Sequence, residues 1–123
     1  MSLQDTKIIA LSEVSLEDAR DMYEFMLIEN EQVYLSYKGM RDRAIFTNFR
    51  LIIINVQGLT GKKKKYYSIP YSKFNGYSVE TAGTFDIDTE FEFWVSGMGG
   101  IKLEFTRNTD VKKIAVFLSS IIH

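Results

Sequence analysis

Apolar and polar residues alternate along most of this chain with a period of two, and a helical period appears only near its two ends. Val33, Leu35 and Tyr37 alternate with Tyr34, Ser36 and Lys38, which predicts a strand from residue 31. Lys38-Gly39-Met40-Arg41 marks a turn. Residues 42–48 predict a second strand ending at Thr47-Asn48, and residues 49–56 a third. In that third strand Leu51-Ile52-Ile53-Ile54 is apolar on both faces, so both must be covered. A barrel interior can cover one, and a helix or a neighbouring subunit the other. Gly58 and Gly61 close the next turn. Lys62 to Lys65 lead into Tyr66-Tyr67-Ser68-Ile69, and Pro70, with no amide hydrogen to donate, ends regular pairing. Residues 74–81 predict another strand and Ala82-Gly83-Thr84 a turn. From Phe85 to Val95 the alternation is strict, with Ile87, Thr89, Phe91 and Phe93 on one face and Asp86, Asp88, Glu90 and Glu92 on the other. Gly97, Gly99 and Gly100 make a hairpin loop before the last strand, in which Ile101, Leu103 and Phe105 alternate with Lys102 and Glu104.

The helical period marks two segments. Ser15 followed by Asp18 reads as a capping box opening a helix over about 16–28, with Ala19, Met22, Tyr23 and Met26 as its apolar stripe and Glu17 and Asp18 in the first turn. Before it, Ile8, Ile9 and Leu11 read as a short turn packed on the body. At the other end Thr109 caps a helix that places Val111, Ile114, Ala115, Leu118, Ile121 and Ile122 on one side. The fold class is therefore mainly β with added helices (α+β): about seven antiparallel strands bent into a barrel, a C-terminal capping helix and an extra N-terminal helix. The chain reads as one domain over 1–123, divided into an N-terminal helical segment 1–30, barrel strands 31–107 and a C-terminal helix 109–122.

Composition narrows the chemistry. There is no cysteine, which removes disulfides, thiolate metal sites and a thiol nucleophile, and the single histidine is the terminal residue, His123. No Ser–His, Cys–His or metal-ligand set can be assembled, so no enzyme and no cofactor are expected. No apolar run reaches the length of a membrane helix, about 18 residues, and the N-terminus does not read as a secretory signal; a cytoplasmic protein is the expectation. Net charge is −1 but uneven. Residues 1–35 hold two basic and eight acidic side chains, residues 36–75 nine basic and one acidic, and residues 76–123 four basic and seven acidic. A basic middle between acidic ends either binds an anion or meets the acidic parts of its own fold or of another copy.

Several longer motifs carry a family resemblance. They are Ser12-Glu13-Val14 with an acidic segment after it, Arg41-Asp42 before Ile45-Phe46-Thr47-Asn48, and Arg50-Leu51-Ile52. Gln57-Gly58-Leu59-Thr60-Gly61-Lys62-Lys63, Ile69-Pro70-Tyr71, Glu80-Thr81-Ala82-Gly83-Thr84-Phe85-Asp86 with Asp88, and Trp94-Val95-Ser96-Gly97 continue it. Over about residues 12–120 the chain resembles the bacterial pleckstrin-homology domain family, departing from it at Phe49 and in the unusually basic run Lys62–Lys65. The resemblance implies a pleckstrin-homology (PH-like) fold, closed cyclic rings that are five-fold for single-domain members, and a protein-binding role rather than an enzymatic one.

Five candidate sites follow. Arg41, Asp42, Thr47, Asn48, Arg50, Thr60, Glu80, Asp86 and Asp88 are the candidate contacts for an unidentified protein partner, gathered where adjacent copies of a homo-oligomeric ring meet. Lys38, Arg41, Arg43 and Arg50 are the alternative, an anion or lipid-headgroup site, because guanidinium forks and an ammonium together grip phosphate oxygens; Asp42 between the two arginines opposes it. Asp86, Asp88, Glu90 and Glu92 form a carboxylate ladder without a histidine or a calcium-type loop, which reads as a solvated face or one met by cations of another strand or subunit. Gly58-Leu59-Thr60-Gly61-Lys62 lacks the spacing and the hydroxyl residue of a phosphate loop and reads as a turn. The Lys62–Lys65 tip with Tyr66 and Tyr67 has the residue types of a nucleic-acid stacking surface, but a pI of about 5.8 opposes it, and no nucleic acid is expected as a partner.

Overall fold

The structure, a computed structural model, describes residues 6–81, 89–107 and 109–122. Eight strands form it: β1 (Thr6–Glu13), β2 (Val33–Lys38), β3 (Asp42–Thr47), β4 (Arg50–Gln57), β5 (Lys63–Pro70), β6 (Phe74–Thr81), β7 (Thr89–Val95) and β8 (Gly99–Phe105). One helix, α1 (Lys112–Ile121), follows. The strands lie in a single sheet in the order β5-β4-β3-β2-β1-β8-β7-β6. All neighbours are antiparallel except β1 and β8, which are parallel. The sheet is strongly bent but not closed: β5 and β6, joined by the 3₁₀ turn Tyr71–Lys73, each pair on one side only.

The alternation read from the sequence is the alternation of burial. Leu35, Tyr37, Ala44, Phe46, Leu51, Ile53, Ile69, Phe91, Phe93, Ile101, Leu103 and Phe105 enclose one core. Helix α1 lies across its open end with Ile114 and Leu118 buried, and Phe117 meets the rings of Phe46, Tyr71 and Tyr34. Its first free amide, that of Lys112, is taken by the Asp110 carboxylate at 3.2 Å, whereas the Thr109 hydroxyl turns to Thr106 and to the Leu11 carbonyl. Thr109 is thus not the cap, and the helix starts later than residue 109.

Both faces of β4 are covered within one chain. Ile52 and Ile54, with Ile45 and Val33, form a second core closed by Tyr23, Met22, Met26, Leu27 and Tyr66. The apolar stripe predicted for the N-terminal helix therefore lands where a cover was required, but the helix itself is absent. Residues 20–22 and 24–26 are two single 3₁₀ turns, because Ala19 (φ 53°) and Tyr23 (φ −126°) leave the helical region and Leu27 is extended. Asp18 does not close a capping box. Its carboxylate accepts from Arg43 Nη1 at 2.7 Å, and only its amide bonds back to the Ser15 carbonyl.

The segment expected to be a short turn is β1, so among the described residues the strands begin at residue 6 rather than 31 and number eight. Its period is hidden by a bulge. The register against β8 shifts between Ile8 and Leu11, and Ala10 has φ 61°. Ile8 and Leu11, three residues apart, consequently both enter the core. Gly39 is required beside this bend: a Cβ there would lie 2.8 Å from the Ile9 carbonyl oxygen.

Candidate functional site

The hairpin of β3 and β4 carries most of the candidate residues, but at opposite ends. Five residue steps along β3 separate Asp42 from Thr47, roughly 17 Å in an extended strand.

At the far end Thr47, Asn48 and Arg50 form the joint that fastens the hairpin to the segment before β2. Arg50 donates through Nε to Glu31 Oε2 at 2.9 Å and through Nη2 to Glu31 Oε1 at 2.8 Å, a bidentate pair. It also donates to Ser68 Oγ at 3.1 Å and to the Met26 carbonyl. The Thr47 hydroxyl donates to Glu31 Oε2 at 2.7 Å and accepts from the amides of Phe49 and Arg50, both at 3.0 Å. Asn48 accepts from the Gln32 amide at 2.8 Å and donates to the Asn30 carbonyl at 3.0 Å. The Glu31 side chain is 0% and the Arg50 side chain 17% exposed. Burial pushes the Glu31 carboxyl up, but the bonds from Arg50, Thr47 and the Ile28 amide outweigh it and hold the carboxyl below the usual range. The Arg50 guanidinium is raised chiefly by its bond to Glu31. Four of the five N–H donors of Arg50 thus bond within its own chain. Glu31 escaped sequence reasoning because it sits inside an acidic block; the signal was an acid flanked by Asn30 and Gln32 just before a strand, opposite the only arginine of a Thr-Asn-X-Arg turn.

The near end holds the charged residues of the alternative site. β2 ends, β3 begins, β4 ends and β5 begins on this side, so the register brings Lys38, Arg41, Arg43 and Lys62–Lys65 to one end of the sheet. Arg41 donates to the Gly58 carbonyl, Asp42 accepts from Asn55 Nδ2 at 2.6 Å, and Arg43 is paired with Asp18. Of the four residues predicted to grip an anion, Lys38 alone has no hydrogen bond or ion pair among the described residues, and Arg50 lies at the other end of the hairpin. A concave surface of about 220 Å³ beside them is lined by Met22, Lys38, Met40, Arg41, Arg43 and Val56. Met40 and Leu59 stand exposed at the same end. Gly58 and Gly61 have φ 80° and 70°, so the Gly58–Lys62 stretch is a turn, with Thr60 exposed on it.

Glu80 is exposed on β6, at the other edge of the sheet from Thr60. One chain therefore does not gather the predicted partner-binding set. Asp86 and Asp88 lie outside the described residues. Of the carboxylate ladder, Glu90 and Glu92 are on the outer face, in rows Glu80–Glu90–Glu104 and Ser78–Glu92–Lys102. Lys7 pairs with Glu90 at 3.2 Å and Glu104 at 3.3 Å. Among the described residues no cluster of three or more His, Asp or Glu has metal-binding geometry. Among the described residues no helix is long and apolar enough to cross a membrane.

The fold recurs in known proteins. A pleckstrin-homology-domain protein of Shewanella loihica PV-4 superposes with a TM-score of 0.81 at 39% identity, over 93% of this chain and 98% of that one. The pleckstrin-homology domain of Shewanella amazonensis SB2B does so at 0.70 and 42%, over 91% of each chain. YjqA, an uncharacterised protein of Bacillus subtilis (strain 168), is 39% identical over 98 residues, 78% of both chains. The bacterial PH domain model matches residues 2–122, almost the whole length. The chain belongs to the bacterial PH domain family.

Proposed function

We propose that this protein is a non-enzymatic binding and scaffold module that assembles head-to-tail with copies of itself and offers a protein partner a surface formed where copies meet. The observation that carries the reading is the separation of charge on an open sheet. Lys62–Lys65, Lys38, Arg41 and Arg43 stand at the end of the β2–β5 half. Glu80, Glu90, Glu92 and Glu104 stand on the outer face of the β6–β8 half. Cationic and anionic patches on different faces of one chain cannot meet each other but can meet on two copies. That contact is heterologous, and a heterologous contact either closes into a ring or continues as a filament. The family resemblance favours a ring, five-fold for a single domain. In such a ring Arg41, Asp42 and Thr60 of one copy approach Glu80 of the next, which supplies the composite surface that a single chain lacks.

The apolar outer face of β4 and the N-terminal stripe do not call for a second copy, since they cover each other within one chain. The charge separation remains. Light scattering across micromolar concentrations tests the reading. A mass of several subunits is expected, with a contact burying roughly 1,200 Å² or more; a monomeric mass at every concentration ends it.

A further inference from the structure

Of the motif Trp94-Val95-Ser96-Gly97 only Val95 enters the core, and none of the four belongs to the hairpin joint. Alternation along β7 buries Phe91, Phe93 and Val95 and turns Glu92 and Trp94 outward. Trp94 is 41% exposed, although a tryptophan offers more apolar area for burial than any other side chain. Its register partners on both sides are glycines, Gly76 on β6 and Gly100 on β8. A Cβ at Gly76 would meet nothing within 4 Å, so the ring is open toward the sheet edge. A Cβ at Gly100 would lie 3.2 Å from Glu92 Oε2, so the carboxylate reaches over that glycine beside the ring. Glu92 has no hydrogen bond or ion pair among the described residues, although Lys102 is its register partner. Asn75, Ser96, Gly97 and Met98 border the ring along an open groove of about 420 Å³.

An aromatic ring over one cross-strand glycine is a common device for shielding the backbone. Here the Trp94 ring shields neither glycine, since a Cβ at Gly76 or at Gly100 would meet no atom of it within 4 Å, and the Glu92 carboxylate on the same face has no ion pair among the described residues. The face of an indole is negative and attracts cations; the carboxylate beside it adds the same sign. The densest set of exposed ammonium ions in the chain is Lys62, Lys63 and Lys64, on flexible stems at the opposite half of the sheet.

We infer that Trp94 and Glu92 form a cation-receiving site that takes a lysine from the Lys62–Lys64 run of a second copy. The inference rests on the head-to-tail reading and names its chemical contact. The site is incomplete in one chain and completed by a residue of the next.

The protein contains one tryptophan, so its emission reports this site alone. Emission and light scattering are followed together on dilution, for the wild type, Trp94→Ala, Glu92→Lys, and Glu92→Lys combined with Lys63→Glu and Lys64→Glu, each checked for an unchanged far-ultraviolet spectrum and melting curve. Emission should shift as the assembly forms. Trp94→Ala should raise the dissociation constant about tenfold or more, Glu92→Lys should do the same or more, and the combined charge exchange should recover at least part of the loss. If Trp94→Ala and Glu92→Lys assemble as the wild type does and emission stays constant on dilution, the site is not at the contact, while head-to-tail assembly stands. If the wild type is monomeric throughout, both readings fall.

Discussion

At the scale of single residues, the hydroxyls and the Glu31–Arg50 pair make the sharpest demands. Tyr71 and Tyr37 are both buried tyrosines whose hydroxyls are raised chiefly by burial, yet their situations are opposite. Tyr71 donates to the Thr47 carbonyl at 2.7 Å, whereas the Tyr37 hydroxyl has no partner among the described residues. An unmade buried hydrogen bond costs about 1–3 kcal/mol. Tyr37→Phe should therefore leave stability unchanged or raise it by about 1 kcal/mol, and Tyr71→Phe should lower it by about as much; urea unfolding of the two variants reads the sign directly. Arg50→Met removes one partner of a pair with a fully buried carboxylate, which should cost about 3 kcal/mol or more. The pair also sets an acid limit. Because the Glu31 carboxyl is depressed in the folded chain, its stabilisation is fully present above the unfolded pKa, about 4.3. It is lost as pH falls through the lower folded value. Glu31→Gln should flatten that part of the acid unfolding curve, and an unchanged curve would show that other carboxylates dominate it.

At the scale of elements, what the sequence revealed and what it hid divide cleanly by physical cause. β7 and β8 were legible because one face is buried and the period of two survives, so Phe91, Phe93, Ile101, Leu103 and Phe105 are all where alternation puts them, and β4 because its run Leu51–Ile54 is buried on both faces. β1 was not, because its bulge at Ala10 turns a two-residue spacing into three. The segment after it was half legible. Met22, Tyr23 and Met26 share a face at helical spacing whether they belong to an α-helix or to 3₁₀ turns, so the pattern located the contact but not the conformation. In the candidate site the same limit appears: Arg41, Arg43 and Arg50 are recognisable as cations in the sequence, but their internal partners Gly58, Asp18 and Glu31 are distant in the chain. The cover over Ile52 and Ile54 has a measurable consequence. Tyr23 is 1% exposed at its centre, and replacing a buried aromatic ring by alanine costs about 3–5 kcal/mol. Tyr23→Ala should lower stability by about that amount and increase binding of an apolar dye by the folded protein, since the strip on β4 is opened without touching the main core. A loss of stability with no added dye binding would mean that Met22, Met26 and Leu27 collapse to fill the gap.

At the scale of the whole molecule, the basic end of the sheet separates a general attraction to anions from a specific site. Seven cations converge there: Lys38, Arg41, Arg43 and Lys62–Lys65. Near an anionic bilayer each basic residue is worth about 1 kcal/mol, decaying within a Debye length of about 8 Å at physiological salt. Asp18 and Asp42 lie among them, the outer face of β6–β8 is acidic, and the chain as a whole carries −1. Specific recognition of a phosphorylated headgroup requires guanidinium forks free to bind two oxygens each. Arg41 and Arg43 are already committed to Gly58 and Asp18, and Arg50 is committed to Glu31 at the far end of the hairpin. Freeing Arg43 would also leave Asp18 without its partner on the segment that covers the second core. The arrangement thus supplies positive potential without a cradle. Flotation with anionic vesicles should show weak association at low salt, none at physiological salt, and no preference between a phosphoinositide and another anionic lipid at equal vesicle charge. Association that persists at physiological salt, or that distinguishes headgroups at equal charge, would mean that Arg41 and Arg43 leave their internal partners for a ligand. Substituting Asp18→Asn should then strengthen that binding by releasing Arg43, whereas for an attraction of sign alone the same change should add only the effect of one removed negative charge.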